Sequence, residues 1–205
     1  MSTLTTITNH SSNENQDPSN GPGAGAGPPA SRTAALPRVV AVARMLLGFT
    51  FLWAFLDKTF GLGYTTTSSQ AWIHSGSPTF GFLAHVKVGP LQGLFHSLAG
   101  NWLVNWVFML GLLAIGVTLV AGIALRLGAI AGVVMLVLMW AAEWPMARHT
   151  STGALTGSVN PFVDYHLIYA ITLVMIACIA GAGSTWGFGA RWAKSDLVRK
   201  HPVLS

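Results

Sequence analysis

Three of the six acidic residues in this 205-residue chain sit at the margins of long apolar runs. Asp57 closes the first run, Glu143 closes the third and Asp164 opens the fourth. If the runs cross a bilayer alternately, all three acids reach one depth on one face. An acid costs roughly 2.5–3.5 kcal/mol at the centre of a membrane helix and less near the interface. Three in one layer therefore point to a built polar site. Carboxylates sharing a low-dielectric site push one another's proton affinity up, and a neighbouring cation pulls it down. Such a group can hold a proton near neutral pH and relay it. Asp57, Glu143, Asp164 and His166 are the candidate catalytic residues on this reading, with Lys58, Arg148 and Asn160 as candidate substrate-binding residues. The same pattern also fits a plainer use, in which Lys58 and Arg148 neutralise the acids and pin helix ends together.

The elements that would position these residues follow from composition. The chain is 52% hydrophobic and 8% charged. Soluble domains carry about a quarter of their residues as charges, so a membrane protein is expected. Four apolar runs reach spanning length, ~20 residues for a ~30 Å hydrocarbon layer: about 38–56, two within 103–142, and about 162–182. The middle stretch contains one charge, Arg126, and reads as a helical hairpin turning at Leu125-Arg126-Leu127. Backbone groups in lipid must be satisfied within each segment, which makes the spans helices. The expected fold is an all-α integral membrane four-helix bundle with a long, partly helical outer loop between helices 1 and 2. Leu91, Leu94, Phe95 and Leu98 recur at helical spacing in that loop and predict a short element capping the outer end.

Arg32, Arg38, Arg126, Arg191, Lys194, Arg199 and Lys200 fall on one side of this topology, which places both termini in the cytoplasm of a plasma-membrane protein. Residues 1–35, rich in Ser, Asn, Gly and Pro, read as a disordered tail, 36–185 as the membrane domain and 186–205 as a basic tail. The basic residues form no stripe interleaved with exposed aromatics, so nucleic acid is not an expected partner. The expected surroundings are a lipid bilayer and a small redox subunit or soluble enzyme, and self-association of the chain is also allowed.

Other polar groups have simpler readings. Arg44, six residues into the first run, either snorkels to the interface or anchors an anionic lipid or a partner. Cys178 is the only cysteine and reads as a buried packing residue. Histidines 74, 85, 96, 149 and 166 share the outer side, but no i, i+4 pair exists and no two lie at matching depth in spans. Neither metal nor haem is expected. His166 follows Asp164 by two residues, which on a helix turns the two side chains about 200° apart. Gly128-x-x-x-Gly132 and Gly183-x-x-x-Gly187 predict close helix packing.

Arg44-Met-Leu-Leu-Gly48 followed by Phe55-Leu-Asp-Lys58 resembles the first helix of the DoxX/DoxD-like membrane proteins. Glu143-Trp-Pro145 and Asn160-Pro-Phe-Val-Asp-Tyr-His166 are similar to the branch containing the large subunit of thiosulfate:quinone oxidoreductase. The resemblance covers roughly 36–185. It implies a four-helix membrane subunit passing electrons from a small reduced sulfur compound to membrane quinone, with a separate small subunit required for activity. Alternative expectations are a non-enzymatic membrane anchor for a soluble redox or stress enzyme and, third, a small proton-coupled transporter.

Overall fold

A computed structural model describes the backbone over residues 30–201 and the side chains over residues 35–201. Most of the expected disordered tail, and the last four residues of the basic one, lie outside the described residues. Among the described residues eight α-helices follow in order, α1 (Ala30–Phe60), α2 (Phe80–Leu83), α3 (Gln92–Leu98), α4 (Trp102–Ala121), α5 (Leu125–Glu143), α6 (Tyr165–Cys178), α7 (Gly189–Trp192) and α8 (Asp196–Lys200), with two single 3-10 turns, Ser68–Gln70 and Trp72–His74, between α1 and α2. No strand occurs among the described residues; a single isolated bridge joins His149 to Leu155. Helix α1 starts at Ala30, before the boundary that composition suggests, and carries Pro37 without ending.

Among the described residues three helices are long and apolar enough to cross a membrane: Ala35–Phe60 within α1, then α4 and α5. Helix α6 is apolar but has 14 residues. At 1.5 Å per residue it is about 21 Å long, short of a ~30 Å hydrocarbon layer. The run expected over 162–182 is thus trimmed at both ends. Asp164 caps the start, and Ile179 leaves helical geometry ahead of a turn-rich, glycine-containing segment. The chain is a multi-pass membrane protein by the length and apolarity of its helices.

Helix α1 packs on α4, α4 on α5, α5 on α6, and α6 returns to α1. Leu47, Phe51, Met109, Leu112, Ile115, Leu119, Leu136 and Leu173 fill the space between them. The opposite faces stay apolar and exposed, with Leu46, Phe49, Val107, Leu110, Ile130, Val134, Ile171 and Met175 turned outward. A belt of that kind has no favourable place in water and suits acyl chains.

Close helix approach is made at glycines. A Cβ on Gly116 would stand 2.6 Å from Leu52 Cγ and 2.9 Å from the Leu52 backbone nitrogen, so α1 and α4 touch there. Gly128 faces Thr118 and Gly132 faces Leu173, the packing role their spacing predicts. The α4–α5 turn falls at Gly122-Ile123-Ala124, three residues before the expected Leu125-Arg126-Leu127. Gly122 takes φ 71°, a left-handed helix stop that glycine adopts at no steric cost.

The segment between α1 and α4 folds over one end of the four helices, the loop end. Asn105 of α4 is buried there and accepts from Ser77 Oγ (3.1 Å), Thr79 Oγ1 (2.7 Å) and Thr79 N (3.2 Å). Trp72 meets Trp106 edge-on, with ring centroids 4.6 Å apart. Val86 and Phe95 pack with Ala142 at the end of α5. The short amphipathic helix expected from Leu91, Leu94, Phe95 and Leu98 is α3, and Phe95 is its buried residue.

Arg44 corrects both sequence expectations for it. Its side chain is 0% exposed. One terminal nitrogen donates to Leu119 O and to Val120 O (3.0 Å), the other to Thr185 O (3.1 Å) and Trp186 O (3.2 Å). The guanidinium therefore satisfies carbonyls at the end of α4 and in the turn beyond α6, which a helix terminus leaves without partners. It neither snorkels nor faces lipid. Cys178 also departs from expectation: the residue is exposed, at the end of α6.

Candidate functional site

At the loop end, α5 stops at Glu143 because Trp144 turns left-handed (φ 43°) and Pro145 cannot continue the ladder. The chain returns through residues 146–163 to Asp164, whose extended backbone makes it the N-cap of α6. One Asp164 oxygen accepts from Leu167 N at 3.1 Å, the expected use of an Asp at that position. Its other oxygen lies 2.7 Å from His166 Nδ1. Asp164 and His166 were expected to point apart. They meet because an N-cap residue lies outside the helix, so a 100°-per-residue projection does not apply to it.

Glu143 completes the group. Its Oε2 lies 3.9 Å from His166 Nδ1, and its Oε1 accepts from the Tyr165 hydroxyl at 3.2 Å. The rings of Tyr165 and His166 sit 4.0 Å apart between centroids. His166 is 1% exposed, whereas the Glu143 side chain is 38% exposed. The site thus runs from an open carboxylate to a buried imidazole.

Beside it lies a cavity of about 490 Å³. Glu143, Asp164 and Tyr165 line it, along with Lys87, Asn160 and Ser158 and the apolar Phe82, Val86 and Val163. Tyr165 and Lys87 were not singled out by sequence reasoning. The signal for Lys87 was present: it is the one Lys or Arg between residues 61 and 101.

The other candidates fall as follows. Asn160 lines the cavity, and its Oδ1 accepts from Phe162 N (2.9 Å) and Val163 N (3.0 Å), which shapes the approach to α6. Arg148 is exposed and Lys58 half-buried, and neither is among the cavity-lining residues. Asp57 does not join Glu143 and Asp164. It is 1% exposed, and its carboxylate accepts from Tyr64 N (3.2 Å), Thr65 N (2.9 Å) and Thr65 Oγ1 (2.6 Å). Those bonds satisfy a buried acid inside its own loop, so the group of three acids expected to converge becomes two acids and a histidine.

Chemically, the arrangement holds two carboxylates, an imidazole and a phenol in hydrogen-bonded contact next to a space large enough for a small organic molecule. Such a set can accept, store and return protons. No family model, no curated protein and no solved structure matches the chain.

Proposed function

We propose that the chain is the membrane subunit of a quinone-linked oxidoreductase, with the headgroup of a lipid-soluble quinone entering the cavity beside Glu143, Asp164 and Tyr165. The observation that carries this reading is the hydrogen-bonded set Tyr165–Glu143 and His166–Asp164 along one cavity. Quinone reduction takes up two electrons and two protons. Glu143, open to the cavity, suits the entering proton. Tyr165 suits a hydrogen bond to a quinone oxygen, and His166 with Asp164 suits a proton reservoir behind it. Lys87 replaces Lys58 and Arg148 as the cation placed to hold an anionic donor. A thiosulfate-like donor fits the balance: two thiosulfate ions joined through sulfur release the two electrons that one quinone consumes. A separate small subunit supplies the electron path. The proposed topology has both termini in the cytoplasm and the cavity at the outer face.

A second reading is a non-enzymatic anchor for a soluble redox or stress enzyme. It is favoured by the fastening uses of Asp57 and Asp164 and by the exposed Arg191, Lys194, Arg199 and Lys200. The two separate in one assay. Purified protein with its partner subunit is tested for thiosulfate-dependent reduction of a quinone analogue. The enzyme reading expects turnover that falls at least tenfold in Asp164→Asn, which keeps a helix cap, and in Glu143→Gln. Turnover that survives both substitutions removes the proton-relay assignment, and no turnover with partner present leaves the anchor.

A further inference from the structure

We propose that Glu143, Asp164 and His166 form a binding site for one divalent transition-metal ion. This inference does not depend on the redox reading, because the ion site exists whether or not the cavity takes a quinone.

One donor atom from each residue lies within 4.8 Å of the other two. Metal bonds to imidazole nitrogen and carboxylate oxygen are about 2.0–2.2 Å, so two donors on one ion stand at most ~4.4 Å apart. The separations from His166 Nδ1, 2.7 Å to Asp164 and 3.9 Å to Glu143, already fall inside that limit. Closing the remaining gap asks for a side-chain adjustment of a few tenths of an ångström. The donors come from the end of one helix and the start of another, both held by the α5–α6 contact.

The second observation is the imidazole itself. His166 is 1% exposed, and its Nε2 is buried with no hydrogen-bond partner among the described residues. In the Nδ1–H tautomer the ring bonds Asp164 but leaves a bare, buried lone pair at Nε2. In the Nε2–H tautomer the Nδ1 lone pair faces two carboxylates with nothing positive between them. A divalent ion at Nδ1 removes the charge conflict of the second arrangement, balancing the two acids and taking the nitrogen lone pair, while Nε2 stays the one ring position without a partner in both arrangements. One imidazole with two carboxylates suits Mn²⁺, Fe²⁺ or Zn²⁺ better than Ca²⁺ or Mg²⁺, which take oxygen ligands. Glu143 and Asp164 also line the cavity, so remaining coordination positions open toward it, as they do in catalytic rather than structural metal sites. A search for paired histidines on one helix cannot find a site of this kind.

The test uses full-length protein in detergent, stripped with a chelator and then titrated with Mn²⁺, with free ion read by electron paramagnetic resonance. Zn²⁺ retention after dialysis is counted in parallel by mass spectrometry. One ion per chain is expected, with affinity at least tenfold weaker in Glu143→Gln and Asp164→Asn. Mn²⁺ should raise the thermal midpoint of the wild type and not of Glu143→Gln, whose half-exposed position leaves the core untouched. No bound ion in the wild type overturns the proposal, as does equal binding by both variants. Quinone-analogue turnover by a wild type that binds no ion would overturn the metal site alone. A bound ion without turnover would sustain it and count against the redox reading.

Discussion

At the scale of single residues, Arg44 and Asp57 show how one buried charge is used to fasten backbone. Arg44 offers donors to four carbonyls from two distant segments. Hydrogen bonds to a charged group contribute about 1.5–3 kcal/mol each, non-additively and against the cost of burying the charge. Replacing Arg44 by Met is therefore expected to destabilise the protein by about 2–4 kcal/mol, read as a lower midpoint of denaturant unfolding in detergent by tryptophan fluorescence. Arg44→Lys should fall between, since one ammonium cannot span both pairs of carbonyls. A Met variant as stable as the wild type would mean those carbonyls find other donors. The sequence exposed Arg44 as anomalous but not its role. Its acceptors are peptide carbonyls, which every residue carries, and only the packing of α1 against α4 and against the turn beyond α6 selects which four. Asp57 was misplaced for a related reason. Alternation of spans gives the depth of an acid but not the direction of its side chain, and a loop beginning at Gly61 turns back to satisfy it first.

At the scale of elements, the four helices were legible because uninterrupted apolarity leaves no other backbone conformation in lipid. Their ends were less legible. The α4–α5 turn is placed by a single glycine able to adopt φ 71°, four residues from the charge that first draws the eye. Helix α6 stops early because Ile179 turns extended, though the sequence there remains apolar. Of the expected group of Asp57, Glu143, Asp164 and His166, the last three come together and Asp57 stays in its own loop; capping geometry, not helical phase, brings Asp164 onto His166. The glycine contacts make the helix packing testable. Gly116→Val puts a branched side chain against the backbone of Leu52, forcing α1 from α4. Overpacking of this kind costs about 1–3 kcal/mol. The loss should show as reduced thermal stability in detergent, while Gly93→Ala, with open space around its Cβ position, should change little. Equal effects of the two would remove the close contact as the cause.

At the scale of the whole molecule, the polar machinery gathers at the loop end and most of the basic residues at the other. The proposed orientation sends Lys and Arg to the cytoplasm, and it can be read without any activity. In a Cys178→Ser background, Ser75→Cys lies in the α1–α4 segment and is exposed. A membrane-impermeant maleimide should label it on intact cells, whereas Lys194→Cys should be labelled only after permeabilisation. The reverse pattern would invert the topology and put the cavity on the cytoplasmic face. The shortness of α6 adds a constraint of its own. A ~21 Å helix beside longer neighbours requires the bilayer to thin around it or the turn after Cys178 to sit below the headgroups.

The span of sequence bridged by Arg44 also bears on how the chain is made. Its acceptors lie 75 and 76 residues downstream in α4 and 141 and 142 residues downstream past α6. While the ribosome is still at work, the first helix must enter the lipid carrying a guanidinium whose counterparts do not yet exist. Emergence of α4 supplies two of those partners, and the turn beyond α6 supplies the other two. A nascent product cut short before Thr185 would hold that guanidinium inside the bilayer with only half of its carbonyl partners.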